Sequence, residues 1–159
     1  MGKYAVALIC LNGHLITATL LKDPQKATSY CEKCGAATIF ECQHCKAGIH
    51  GRYKDPYGRY RSYWVPSFCH SCGRPYPWTE KKLEAARELS EELEGLTDEE
   101  KEVLNKSIDD MITDNPRTEI GVTKFKKFML KAKGVAVEPF RKLIVDISSE
   151  TAVKLLKGP

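Results

Sequence analysis

The sequence predicts an α+β protein in two parts: short cysteine-bearing β-hairpins over residues 1–78, then an all-α region of about four helices over 79–159. Three observations carry this. All seven cysteines of the 159-residue chain lie before residue 73, and no Cys or His follows. After Pro77 the composition turns to Lys, Glu and Leu at helical spacing. The formal charge, +4 overall, is layered: ten Lys/Arg against four Asp/Glu in 1–78, five against thirteen in 79–114, and ten against four in 115–159.

The first part reads as four paired donors: Cys10-Leu-Asn-Gly-His14, Cys31-Glu-Lys-Cys34-Gly35, Cys42-Gln-His-Cys45 and Cys69-His-Ser-Cys72-Gly73. Two thiolates three residues apart on a tight turn both face one tetrahedral ion, and a following glycine permits the positive φ that aims backbone N–H groups at the sulfurs. Cys34-Gly35 and Cys72-Gly73 satisfy this. Cys45-Lys46 does not, which makes it the least ideal knuckle and His50 its fallback ligand. Eight donors make two closed sites, and His14 accounts for the odd cysteine count. The expectation is two structural Zn²⁺ per chain in tandem zinc ribbons, since a region with few large aliphatics needs such staples. Sequential pairing is favoured over a cross-brace. It joins Cys10/His14 to Cys31/Cys34, and Cys42/Cys45 to Cys69/Cys72.

Other cysteine chemistries fit less well. A redox pair needs one CxxC opening a helix after a strand. Iron–sulfur ligation suits the thiolates but not His14 with ribbon spacing. A catalytic zinc keeps an open fourth position, which a full donor set lacks. His44 and His70 sit inside knuckles and read as solvated surface.

Between the last two pairs lies GRYKDPYGRYRSYWVPSF, residues 51–68, with six aromatic and four basic side chains and one acid, Asp55. Arg52, Lys54, Tyr57, Arg59, Tyr60, Arg61 and Trp64 form a candidate nucleic-acid surface, the cations for phosphates and the rings for unpaired bases. The competing reading, which we favour, packs these rings on the second ribbon as its missing core, with Arg stems over them. Acids of the next segment (Glu84, Glu88, Glu91) are then expected to face Arg59 or Arg61.

The boundary falls near Pro75–Thr79, with Thr79 as N-cap. Leu83, Ala86, Leu89, Leu93 and Leu96 repeat at three- and four-residue steps. Thr97-Asp-Glu-Glu100 is a capping box opening a second helix with Leu104, Ile108, Met111 and Ile112 inward, ended by Asn115-Pro116. A third runs from about Thr118, burying Val122, Phe125, Phe128, Met129 and Ala132, with Gly134 as its stop. A fourth follows Pro139 through Phe140, Leu143, Ile144, Ile147, Val153 and Leu156. Each is apolar on one stripe only, so each must pack on something.

No stretch of about 18 uncharged apolar residues occurs, so no membrane span is expected. The apolar run Tyr4–Cys10 is too short for a signal peptide, and Val6 breaks the myristoylation pattern. A cytoplasmic protein follows, and seven cysteines in a reducing compartment favour metal over disulfides.

Cys-x-Asn-Gly-His followed by Tyr-Cys-x-x-Cys-Gly resembles bacterial zinc-ribbon proteins generally. The run Phe68-Cys-His-Ser-Cys-Gly-Arg-Pro-Tyr-Pro-Trp-Thr79, with the helical tail, resembles one bacterial family, domain of unknown function 2321. The resemblance covers nearly the whole chain. It implies zinc ribbons plus a helical region in a bacterial cytoplasm, and it implies no activity.

No Gly-rich phosphate loop, His-Glu zincin motif, Ser/His/Asp set or metal-spaced carboxylate cluster is present, so an enzyme is not expected. The reading adopted is a non-enzymatic adaptor or interaction protein with structural zinc, whose partner is another protein. The alternative is a nucleic-acid-binding ribbon using 51–68. Homo-oligomerisation through the helices is a third outcome.

Overall fold

A computed structural model describes residues 1–158. The chain divides into two compact units, the first Met1–Lys81 and the second from Lys82 onward.

In the first unit, β1 (Lys3–Val6) pairs antiparallel with β5 (His50–Lys54), aligning Lys3 with Lys54, Tyr4 with Tyr53 and Val6 with His50. A second sheet has the order β3-β2-β4, from Leu15–Thr17, Leu8–Cys10 and Thr38–Ile39. These strands are short, and their apolar side chains make a small core of Ala7, Ile9, Ile49, Tyr76 and Trp78 with Cys42 and Cys69. Tyr76 and Trp78 stack at 4.7 Å. Gly51 lets β5 lie against the Ala18 carbonyl, which the Arg52 N–H reaches at 2.9 Å. A Cβ there would stand 2.2 Å from that oxygen, so no larger residue fits without moving backbone.

Helix α1 (Pro77–Glu91) begins two residues before the expected N-cap. Proline suits a first helical position because it has no N–H to leave unpaired. Thr79 is therefore inside the first turn and buried, its hydroxyl donating to the Ser67 carbonyl at 2.8 Å. Trp78 likewise donates its indole N–H to the Pro66 carbonyl at 2.9 Å, so this turn is tied to the ribbons.

The second unit holds the rest of α1 with α2 (Asp98–Met111), α3 (Thr118–Lys131), α4 (Val137–Ile147) and α5 (Glu150–Lys157). The Thr97/Glu100 capping box is present in both directions. Gly121 allows α3 to press onto α2, because a Cβ would sit 2.9 Å from the Ser107 carbonyl. Among the described residues there are five helices where about four were expected. The extra break is at Ser148-Ser149: Ser148 is extended, and Ser149 caps a new helix by accepting from the Ala152 N–H at 3.2 Å. Serine competes well for cap positions, and its neighbouring apolar residues still fall on the inward stripe. Leu104, Ile108, Met111, Phe125, Phe140 and Ile144 form the centre of this core. Among the described residues no helix is long and apolar enough to cross a membrane.

Candidate metal centres

Three knuckles share one backbone design. In each, the first cysteine's N–H donates to the carbonyl five residues on, and its own carbonyl accepts from the N–H four residues on. These are Cys31 with Ala36 and Gly35, Cys42 with Ala47 and Lys46, and Cys69 with Arg74 and Gly73. The turn residue is left-handed in all three, with φ 71° at Gly35, 71° at Gly73 and 64° at Lys46. Lys46 thus takes the glycine conformation, at a cost of about 1–2 kcal/mol for a residue with a Cβ. The third knuckle closes regardless. His50 is not recruited as a fallback ligand; it is stacked between Tyr4 at 4.0 Å and His70 at 3.6 Å. The fourth turn differs: Gly13 (φ 88°) lets Cys10 and His14 face the same point, with the His14 N–H donating to Cys10 Sγ at 3.3 Å.

The eight donors gather as two quartets, Cys10/His14/Cys31/Cys34 and Cys42/Cys45/Cys69/Cys72, each with all four donor atoms within 4.8 Å of one another. The grouping is sequential. Their spacing tests whether zinc fits. A tetrahedron with Zn–S of about 2.3 Å has edges of about 3.8 Å, and a nitrogen donor at about 2.0–2.1 Å shortens its edges to about 3.5–3.6 Å. The sulfur pairs are 3.7 Å (Cys10/Cys34), 3.8 Å (Cys42/Cys72) and 3.6 Å (Cys45/Cys69). His14 Nδ1 is 3.5 Å from Cys10 and 3.6 Å from Cys31. These five edges match a zinc tetrahedron, and both quartets could hold a structural zinc ion. All seven thiols are free of disulfides.

Electrostatics points the same way. The Ala36 backbone N–H holds Cys34 down to about 6, with Asn12 and His14 assisting. Burial pushes its neighbour Cys10 up. In the other quartet, burial opposes ionisation of Cys69 but the Cys72 and Ser71 N–H groups override it, and the thiol falls to about 6. The Arg74 N–H pulls Cys72 down, yet burial and the three adjacent sulfurs outweigh it and push it up to about 11. Crowded thiolates cannot all ionise alone; a dication among them removes that conflict. Asn12 supports the first quartet from outside, donating to Cys34 Sγ at 3.4 Å and accepting from Lys81 at 2.7 Å. His44 accepts a hydrogen bond from Arg74 at 2.9 Å on the surface.

The candidate nucleic-acid residues are split by the fold. Two rings of the insert outside that candidate set are held by the fold: Tyr53 lies in β5, and Tyr63 is half-buried and donates its hydroxyl to the His50 carbonyl at 2.9 Å, where burial pushes its phenol up to about 12. Tyr57 and Trp64 remain 84% and 77% exposed. Arg59 bonds Asp55 at 3.2 Å and covers Tyr57. Arg61 lies over Tyr53 at 5.4 Å. The carboxylate that Arg59 pairs with is Asp55, four residues away. Asp55 also accepts the Arg59 and Tyr57 backbone N–H groups, so the turn pre-assembles this pair. Arg52 is exposed on β5, and Lys54 and Tyr60 face each other across a bridge. Tyr4 and Lys22 join these residues from outside the insert, Lys22 standing 4.8 Å over Tyr60. No local pattern marks them, because the β1/β5 pairing that brings Tyr4 in spans nearly fifty residues.

Closed Cys₃His and Cys₄ quartets on paired knuckles, followed by a helical unit, define a tandem-ribbon α+β protein with two candidate structural zinc sites. The chain belongs to the bacterial family described as "uncharacterized protein conserved in bacteria (DUF2321)", whose model matches residues 3–156. No curated protein and no solved structure matches it.

Proposed function

We propose that this chain is a non-enzymatic adaptor, with the ribbon unit as a recognition head and the helical unit as its attachment to another protein. The carrying observation is that both quartets are full four-donor sets. A zinc that acts on substrate keeps one position open, so closed sets build structure rather than react. The reduced thiols they need fit a bacterial cytoplasm.

The helical unit supports the second half of the reading. A groove of about 390 Å³ runs between α3, α4 and α5 over Met129, Val145 and Leu156. Leu130 at its edge is 91% exposed, and Lys126, Arg141 and Lys157 rim it. An apolar floor with a cationic rim suits an amphipathic helix with acidic flanks. The test is capture from bacterial lysate by the intact, zinc-loaded chain after nuclease treatment, beside the same capture with Leu130→Glu. A protein retained by the parent and lost by the variant is the expected result. A partner released by nuclease, a partner indifferent to the substitution, or self-association through this groove seen by light scattering would each remove the attachment reading.

A further inference from the structure

One concavity of the ribbon unit stands apart from the metal quartets, with none of the eight donors in its lining. It is a groove of about 1030 Å³ bounded by Tyr4, Tyr53, Tyr60, Arg61, Tyr63 and Trp64. Five of its ten lining residues are Tyr or Trp, and the groove is open to solvent. Enclosed small-molecule sites of about 300–1,000 Å³ bury most of their ligand, which this one cannot do. It suits a ligand that runs through.

The wall is already organised by ring stacking. Tyr4, His50 and His70 form a column with spacings of 4.0 and 3.6 Å and interplanar angles of 6° and 12°. Tyr4 remains 55% exposed at the end of it. Trp64 is 77% exposed. Its indole face is open to solvent, a surface on which an unpaired base can stack. The charge around the groove has one sign. Lys22 and Arg61 lie over the Tyr60 and Tyr53 rings, while Arg52, between Gly51 and Tyr53 on β5, alternates to the opposite face of the strand. The one acid of the insert, Asp55, is engaged by Arg59.

We propose that this groove binds single-stranded nucleic acid, with bases stacking on Trp64 and Tyr4 and the backbone meeting Arg61 and Lys22. A proline-rich peptide also docks on aromatic ridges, but it has no use for the two cations and no flat π-face for an exposed indole. A duplex hides its bases and would use the cations alone. The site differs from the one the insert alone suggests: Arg59 and Tyr57 are paired with each other and Asp55, while Tyr4 and Lys22 enter from elsewhere in the unit. This inference rests on the adaptor reading, for which it names what the recognition head holds.

The test uses the full zinc-loaded chain, with zinc content and far-UV circular dichroism recorded on each sample. Fluorescein-labelled twelve-nucleotide dT and U strands, a twelve-base-pair duplex and a proline-rich peptide are titrated by anisotropy at two salt concentrations. The expected result is binding of single strands that weakens with salt, with the dT and U arms deciding between DNA and RNA. Trp64→Ala should weaken it about tenfold or more, as loss of one stacked base does. Arg61→Ala should flatten the log–log salt slope by about 0.7. Trp78 is buried in the ribbon core, so tryptophan quenching on binding should come from Trp64 and vanish in Trp64→Ala, while Trp64→Phe keeps part of the affinity. Equal affinity for duplex or peptide overturns the proposal. So does binding that ignores Trp64→Ala but falls in Lys127→Ala, which would place it on α3. A chain with two zincs and native dichroism that binds no strand overturns the groove and leaves the adaptor reading standing.

Discussion

The two units bury side chains by different means. The helical core contains fifteen buried residues, all aliphatic, aromatic or Met. The ribbon core contains seven, and two of them, Cys42 and Cys69, are members of a metal quartet. A fully buried large apolar side chain contributes about 1.5–3 kcal/mol, so the helices hold themselves together with a surplus of such groups. The ribbons have too few, and the knuckles are where the difference is made up. Stability in the first unit should therefore track metal, and in the second it should track packing.

The sharpest way to break that contrast is Cys31→Ser. Structural zinc binding is worth about 10–16 kcal/mol of apparent folding free energy in small metal domains, so losing one donor should cost the first quartet its ion. Zinc should fall from two to one per chain by elemental analysis. Ellipticity at 222 nm, carried by α2–α5, should change little. Helices that melt together with zinc loss would show one cooperative body and remove the contrast.

Phe140→Ala probes the other side. Phe140 is completely buried and tilts against Phe125 at 6.0 Å. Truncating such a ring costs about 3–5 kcal/mol, much of a small unit's stability. The helical transition should move to much lower denaturant while both zincs remain bound. Zinc release at the same midpoint would couple the units.

Within the ribbons, Lys46 marks a smaller difference between otherwise matched turns. Lys46→Gly should relieve its left-handed strain and stabilise the second ribbon by about 1 kcal/mol. The exposed Lys46–Glu41 pair at 3.7 Å is lost in the exchange, and exposed pairs contribute about 0–1 kcal/mol, so the net gain is at the low end. The measurement is slower zinc transfer to a competing chelator. A faster transfer would mean that the ion pair outweighs the backbone strain.

What was legible beforehand follows from range in sequence. The knuckles and the capping box are local: donor, turn and cap lie within five residues, so spacing alone locates them. The Ser148-Ser149 break was hidden because Val153 and Leu156 continue the apolar stripe across it. Thr79 misled because a Thr before a helical run reads as a cap, while Pro77 two residues earlier is the better start. The groove was half-visible. Its Arg and Tyr/Trp residues stand out in 51–68, but which rings stay exposed is decided by β1 and by the Lys22 loop, and neither is signalled nearby.

The smallest effect expected is electrostatic, at the capping box of α2. Glu100 accepts the Thr97 N–H at 3.0 Å and meets Lys131 of α3 at 2.6 Å. The Lys131 ammonium, with the Thr97 N–H, holds its carboxyl below the ordinary value of 4.5. A depressed carboxyl stabilises the fold above its ordinary value, and that contribution is lost as pH falls through the folded one. Glu100→Gln keeps the cap, because Gln serves in a capping box as Glu does, and removes only the charge. At pH 7 the variant's helical transition should lie about 1–3 °C below the parent's, and by pH 3 the two should converge. An equal gap at both pH values would assign the effect to cap geometry, and Lys131→Ala in the Gln background separates the two: it should add nothing if the charge pair is the cause.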